Sequence, residues 1–160
     1  MKLKTLLFLL AAVCLFTSCA KSRTQYKDDV SVTRLAEVAD SCLETDALAV
    51  MTESYVKGAM KMEPALFAEY TVKVNAAGAN IDEYGIFKAK KESSLKAVKE
   101  EVKAYLQMRK DTWMEEYMPE EKPKLVSTEI KTMGLYVMYA ILSDNSRAAV
   151  FLEIESQLAK

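Results

Sequence analysis

The sequence contains no histidine, which removes the most common general base and the most common metal ligand of proteins. Glycine, proline and cysteine are scarce as well, with four, three and three residues. So few glycines leave no glycine-rich phosphate loop, and so few cysteines build no disulfide scaffold. The 22 basic and 23 acidic side chains give a formal charge of -1. Without a basic excess, we expect no nucleic-acid partner.

Apolar residues, by contrast, make up 51% of the 160 residues, and charged residues make up 28%. This composition is typical of a folded chain and excludes intrinsic disorder. The length suits one domain.

Residues 1–18 predict an export signal that is removed from the mature chain. Lys2 and Lys4 precede an apolar run from Leu6 to Phe16. The run is too short to cross a bilayer core of about 30 Å, which needs about 20 apolar residues. A basic end, a short apolar stretch and small residues after it are the features of a secretory signal.

The end of this signal, LFTSC at residues 15–19, resembles a bacterial lipobox, whose cysteine receives a diacylglyceryl group. Phe16 departs from the leucine that is usual there. We predict lipidation at Cys19, and ordinary signal-peptidase cleavage after Ala20 is the alternative. Two or more acyl chains give stable membrane attachment. We therefore expect the protein to be exported and lipid-anchored to the cell membrane on its extracytoplasmic side.

The remaining chain divides into a lipidated cysteine with a flexible tether over residues 19–30 and a single α+β domain over residues 31–160. The tether prediction follows from a polar segment without apolar periodicity. Cys42 is the one cysteine left in the domain, and we interpret it as a small apolar residue on a helix face rather than a reactive thiol.

Within the domain, apolar residues recur with helical spacing in three segments and with a period of two in others. Residues 46–62 follow neither period clearly. The predicted elements are a helix from Ser31 to Cys42, a short helix over 64–69, strands over 70–75 and 81–88, a helix of about 24 residues from Leu95, strands over 126–132 and 135–142, and a final helix to Leu158.

This order predicts an α+β fold. It has one antiparallel sheet of about four strands in two hairpins, a long helix between the hairpins, and further helices packed on the sheet.

Five segments together resemble a known family. They are an acidic-proline turn running into a strand at Glu63 to Val74, then IDEYGIFKAK, VKEEVKAYLQMRKDTW, EEYMPEEKPKL and MGLYVMYAILSD. In this order, over roughly residues 46–145, they resemble a family of small bacterial lipoproteins with domain of unknown function four-three-five-eight. The resemblance implies export and lipid attachment, and it implies no activity, ligand or catalytic residue.

Three residues are candidates for ligand binding: Arg109, Trp113 and Tyr117. Arg109 lies near the apolar stripe of the long helix, between Tyr105 and Trp113. It could pair with a buried carboxylate, stack on Trp113 as a cation–π contact, or hold an anionic ligand. We favour a stem whose charged end reaches water.

Other groups of residues have two interpretations each. Tyr105, Trp113, Tyr117, Tyr136 and Tyr139 could line a groove for sugar or peptide, and we favour the aromatic core and its rim. A group of five acidic residues could hold Ca²⁺, and we favour the interpretation that these residues lie at a solvated helix end. The methionines could bind Cu(I), and we favour core packing. The acidic residues are Asp111, Glu115, Glu116, Glu120 and Glu121, and the methionines are Met60, Met62, Met108, Met114, Met118, Met133 and Met138.

No residue is predicted to be catalytic, and no metal or cofactor is predicted. The sequence favours a non-enzymatic binding or interaction module of the bacterial cell envelope. Its partners would be the membrane, through the N-terminal lipid, and an unidentified protein or small molecule. The alternative is an enzyme that acts on envelope polymer with two carboxylates.

Overall fold

The computed structural model describes residues 25–44, 47–78 and 80–160. The predicted signal, Cys19 and Ala20 lie outside the described residues. The described part has five α-helices and five strands. In chain order they are α1 (Val32–Ser41), β1 (Leu48–Val50), α2 (Glu53–Gly58), β2 (Phe67–Asn75), β3 (Glu83–Ala89), α3 (Leu95–Asp111), α4 (Lys122–Val126), β4 (Ile130–Met133), β5 (Tyr136–Ile141) and α5 (Asp144–Leu158).

The five strands form one antiparallel sheet in the order β1-β2-β3-β5-β4. Both predicted hairpins are present, as β2–β3 and β4–β5, and β3 pairs with β5 to join them. The α+β prediction is therefore confirmed. The sheet gains β1 as a fifth strand, from the segment in which no period was clear.

Helices cover both faces of the sheet. On the first face, α1 and α5 pack on side chains such as Tyr84 and Tyr136. On the second face, α2, α3 and α4 pack on side chains such as Phe87 and Tyr139. Because successive strand residues point to opposite faces, β3 and β5 feed both layers of the core. All six residues of β5 are buried, as its unbroken apolar sequence predicts.

The long helix is shorter than predicted. α3 continues without a break past Arg109 and ends at Asp111, after 17 residues. Thr112 caps the helix, and its hydroxyl and its amide both donate to the Met108 carbonyl, at 2.8 and 3.0 Å. Trp113 and Tyr117 therefore lie in the connection that follows.

Two further boundaries differ from the predictions. Residues 122–126 form the short helix α4, with Pro123 in its first turn, so that β4 begins at Ile130 rather than at 126. Residues 64–66 form one 3₁₀ turn, and β2 begins directly after it at Phe67.

The first helix begins as predicted, because Ser31 accepts a hydrogen bond from the Arg34 amide at 3.1 Å. The predicted tether, however, is too long at its C-terminal end. The Lys27 amide donates to the Leu158 carbonyl at 2.7 Å, and the Lys160 amide donates to the Gln25 carbonyl at 3.0 Å. Residues 25–27 are thus attached to the end of α5. Among the described residues, no helix is both long enough and apolar enough to cross a membrane.

Candidate functional site

One carboxylate, that of Glu83, is fully buried on the second face of the sheet, with no exposed surface. Glu83 is the first residue of β3, and its side chain points under α3. An isolated charge in such a position is costly, so it requires opposite charge and hydrogen-bond donors.

Three side chains supply those donors. The hydroxyls of Tyr105 and Tyr139 donate to the same Glu83 oxygen, Oε1, at 2.6 and 2.5 Å. Arg109 donates from Nη1 to the other oxygen, Oε2, and from the same nitrogen to the Tyr105 hydroxyl at 2.8 Å. We refer to Glu83, Tyr105, Arg109 and Tyr139 as the Glu83 network.

The helix α3 and the strand β5 position these donors. Tyr105 and Arg109 are four residues apart on α3 and therefore share one face of the helix. Tyr139 comes from β5, directly opposite Gly85 of β3. A Cβ at Gly85 would overlap the Tyr139 ring and approach Phe87 Cε2 within 2.8 Å. Glycine at this position makes room for the ring that donates to Glu83.

The network keeps its tyrosines neutral and its arginine charged. Burial and the Glu83 carboxylate raise the pKa of Tyr105 and of Tyr139 above the usual range. Burial alone would lower the pKa of Arg109, but Glu83 and Tyr105 raise it above the usual range. Burial and Glu83 also raise the pKa of Tyr55 on α2, whose hydroxyl interacts with Tyr105. The uncharged hydroxyls therefore remain hydrogen-bond donors.

The favoured interpretation of Arg109 was wrong, because its guanidinium pairs with a buried carboxylate. The cation–π contact differs too, since Arg109 lies over the Tyr105 ring, 5.8 Å from its centroid, rather than over Trp113. The side chain is still 23% exposed.

Sequence reasoning missed Glu83 as the centre of this network. The available signal was the position of Glu83 in β3. Strand residues alternate between the two faces, so Glu83 lies on the same face as Gly85 and Phe87, and Phe87 packs in the core of the second face. A second signal was the helical spacing of Tyr105 and Arg109. What joins them is the pairing of β3 with β5 under α3, which the sequence pattern does not specify.

The other two ligand candidates lie beyond the helix. Trp113 is half-buried against the second core layer, and its indole nitrogen is buried without a hydrogen-bond partner among the described residues. Tyr117 is 51% exposed, Met114 is 64% exposed and Val126 is 58% exposed. We call Met114, Tyr117 and Val126 the distal surface. It forms at the C-terminal end of α3, where Lys110 reaches the Val126 carbonyl.

The remaining candidates are spread over the core and the rim. The core interpretation holds for Tyr136 on the first face and for Tyr105 and Tyr139 on the second. Met133 and Met138 pack on the first face, and Met60 and Met62 on the second. Cys42 follows the last turn of α1 and packs half-buried against the first layer.

The acidic group is not only a solvated helix end. Asp111, Glu115, Glu116 and Glu120 are exposed, but Glu121 accepts from the Ile81 amide at 3.1 Å and from Lys124 at 2.8 Å. Across residues 25–44, 47–78 and 80–160, no three carboxylates or cysteines are grouped to hold a metal ion.

A second polar cluster lies across β3 from the Glu83 network. The Tyr84 hydroxyl donates to Asp40 Oδ1 at 2.8 Å and to the Ala36 carbonyl at 3.2 Å. Lys73 forms an ion pair with the other oxygen of Asp40. Burial and the bond to Asp40 raise the pKa of Tyr84 above the usual range. This is the Tyr84 cluster.

A groove of about 590 Å³ lies on the first face, between β4 and α5. Tyr26, Lys131, Arg147 and Phe151 are among the residues that line it, and Leu152 beside them is 70% exposed.

Comparison with known proteins identifies the domain. No curated protein and no solved structure matches the chain. A family model described as domain of unknown function matches residues 44–142, which is more than half of the chain. The match includes all five strands and the whole Glu83 network, while α1 and α5 lie outside it. The chain therefore belongs to the family described as domain of unknown function (DUF4358).

Proposed function

We propose that this chain is a lipid-anchored extracytoplasmic lipoprotein of the bacterial cell envelope that acts as a non-enzymatic binding or interaction module. The observation that carries the proposal is the position of Cys19. It follows the predicted apolar export signal, and it lies six residues before Gln25, whose carbonyl accepts from the Lys160 amide at 3.0 Å.

Short spacing would hold the domain close to the lipid. Six residues span at most about 22 Å when fully extended. The first attached residues, Gln25 to Lys27, bind the end of α5, so this corner of the domain would lie nearest the membrane. A lipid at Cys19 would thus restrict where the domain sits as well as keep it in the envelope.

The distal surface would lie away from that corner. Tyr26 and Leu95 line one small groove, so α3 begins beside the attached N-terminal residues. Arg109 is fourteen residues farther along α3, or about 21 Å at 1.5 Å per residue. Exposed apolar residues that occur together mark interaction surfaces more often than isolated ones do. The distal surface is therefore our candidate contact for an envelope partner.

The Glu83 network supports a binding module over a carboxylate enzyme. Both oxygens of Glu83 are engaged by Tyr105, Tyr139 and Arg109. A carboxylate that acts as acid, base or nucleophile needs an oxygen that can reach the substrate. Glu83 is better placed to fix β3, β5 and α3 to one another.

Metabolic labelling tests the anchor. The full chain, expressed in bacteria with labelled palmitate, should carry label in the membrane fraction, and Cys19→Ser should carry none. Cys14→Ser, a matched change inside the signal, should keep the label and the membrane location. Label that persists in Cys19→Ser, or an uncleaved signal on wild-type protein outside the membrane, would contradict lipidation at Cys19.

Cross-linking in intact cells tests the interaction role. Wild-type protein should form a cross-linked species of defined mass with another envelope component. The double substitution Met114→Lys/Tyr117→Lys should remove that species, whereas Leu152→Lys, which changes an equally exposed apolar residue elsewhere, should retain it. If both variants retain the species, the distal surface is not the contact.

A further inference from the structure

We propose that two copies of this chain pair through the outer edges of their β4 strands and form one continuous antiparallel sheet. The inference goes beyond the proposed function, and it does not depend on lipid attachment. It rests on an edge that is open, on a sequence that complements itself when antiparallel, and on side chains that both faces can accommodate.

The hydrogen-bonding direction of β4 follows from its hairpin. A two-residue loop, Gly134 and Leu135, joins Met133 to Tyr136, so this closing pair is hydrogen-bonded across the turn. In agreement, the Leu135 carbonyl accepts from Ala89 of β3, so it points away from β4. In antiparallel strands the bonding direction alternates along the chain. Lys131 therefore bonds to β5 together with Met133.

The alternate residues of β4 direct their backbone groups outward. Ile130 and Thr132 present N–H and C=O groups at the edge of the sheet, because β4 is its last strand. No hydrogen bond of the described residues outside the sheet engages these groups. An edge of this kind is a template for another strand.

The sequence around Ile130 complements itself. Residues 128–132 read TEIKT, so an antiparallel copy centred on Ile130 places Thr opposite Thr, Glu opposite Lys and Ile opposite Ile. In this register backbone bonds would join Ile130 to its counterpart, and Ile130 is one of the outward-directed residues of β4. Thr128 precedes β4, and its amide donates to the Leu125 carbonyl at 3.4 Å. The register that matches the side chains is thus one that the outward-directed groups of Ile130 allow. This agreement identifies the occupant as a second copy of the chain.

Charge complementarity acts on the first face. Glu129 and Lys131 form an exposed ion pair within one copy, at 3.3 Å. In the paired sheet each would lie opposite its counterpart in the other copy, in a non-hydrogen-bonded pair, where side chains approach most closely. A dimer would hence contain two Glu–Lys pairs across the strands. A register shifted by two residues would place Lys131 opposite Lys131, and repulsion disfavours it.

The second face contributes an apolar contact. Ile130 packs at the margin of the second core layer and is half-buried. Pairing would place two Ile130 side chains against each other and extend the apolar layer across the junction. On the first face, the groove lies between α5 and β4. The two-fold axis would be perpendicular to the sheet, so both copies would present α5 and Tyr26 on the same side.

Charge reversal provides the first test. Full-chain protein in mild detergent should sediment as a dimer. Glu129→Lys and Lys131→Glu should each weaken dimerisation at least about tenfold, since each turns two attractive pairs into two repulsive ones. The double variant Glu129→Lys/Lys131→Glu should recover the wild-type constant. Lys99→Glu, an exposed reversal on α3, should have no effect. A monomeric wild type, or a double variant as weak as the single ones, would overturn the proposal.

Cysteine cross-linking tests the register. In a Cys42→Ala background, Ile130→Cys should form a disulfide-linked dimer, because opposite Cα atoms would lie about 5.5 Å apart. Lys131→Cys should not link to itself, since its Cα atoms would be about 8 Å apart, beyond disulfide reach. A mixture of Glu129→Cys and Lys131→Cys chains should link. The parent with only the background change should not. Equal linking of Lys131→Cys and Ile130→Cys would exclude this register.

Discussion

Glu83 and Tyr84 are neighbours in β3, yet their side chains enter opposite faces of the sheet and meet different environments. In the Glu83 network the carboxylate is at the centre and is fully buried, and the cation reaches the surface. In the Tyr84 cluster a neutral hydroxyl is at the centre, while the Asp40 carboxylate beside it remains 38% exposed.

The difference in burial determines how strongly each carboxylate depends on the cation beside it. Water can hydrate Asp40 if Lys73 is lost, whereas Glu83 has only protein donors around it. A buried charge without its partner costs several kcal/mol, and a partly exposed pair contributes little. The two clusters should therefore respond very differently to matched substitutions.

The largest expected effect comes from Arg109→Met, which removes the cation and keeps most of the volume. We expect it to lower the free energy of unfolding by about 3–5 kcal/mol, because it leaves Glu83 buried without a counter-charge. The matched change on the other face, Lys73→Met, should cost less than about 1 kcal/mol. Urea unfolding measures both. Equal losses would show that the two clusters are not different in kind.

Gly85→Ala should have the next largest effect, about 1–3 kcal/mol, because the added methyl overlaps the Tyr139 ring and displaces a donor from Glu83. Gly58→Ala is the control. Nothing lies within 4 Å of a Cβ at Gly58, in the last turn of α2, so this change should be neutral or stabilising. Thermal unfolding can rank the two variants, and a neutral Gly85→Ala would contradict the close approach of the ring.

Loss of one hydroxyl should separate the clusters more finely. Tyr139→Phe should cost about 1–3 kcal/mol, since Glu83 loses a donor that water does not replace. Tyr84→Phe should cost about 1 kcal/mol or less, because Asp40 keeps Lys73 and access to solvent. Chemical denaturation of both variants gives the comparison. A greater loss for Tyr84→Phe would reverse our assignment of the more demanding site.

Alkaline pH should lower the free energy of unfolding through both clusters. Between pH 7 and 9 that free energy should hardly change. The folded state raises the pKa of Tyr84, Tyr105 and Tyr139 above the usual value of about 10, so it retains protons that the unfolded chain loses. This stabilisation is complete below about pH 10 and is lost as the pH rises beyond it. Tyrosine absorbance near 295 nm, recorded with unfolding curves, should show these three ionising only on unfolding. Titration of every tyrosine near pH 10 in folded protein would contradict it.

Particular elements show how much of the fold can be predicted from the sequence. The period of two predicts β2 and the apolar run predicts β5, because burial on one or both faces leaves a local pattern. β1 was not predicted, because a strand of three residues is too short to show a period. Its pairing with β2 holds it in the sheet. The end of α3 at Asp111 is missed because no glycine or proline marks it, and the next proline is Pro119.

The candidate site, too, could be predicted from the sequence only in part. Arg109 is recognisable from its place on the apolar stripe of α3, and a buried carboxylate is one of the partners that such a position allows. The identity of that carboxylate is not recognisable, because Glu83 is 26 residues away in sequence and meets Arg109 only when β3 lies under α3.

The sequence by itself determined the α+β class, the two hairpins, the helix from Ser31 and the long apolar face of α3. These depend on the spacing of residues close together in the chain, where backbone geometry converts spacing into a face. Only the tertiary structure decided that Glu83 joins Tyr105, Arg109 and Tyr139, and that β4 is left at the edge of the sheet. Both depend on which strands become neighbours, and that choice is made by burial over the whole domain.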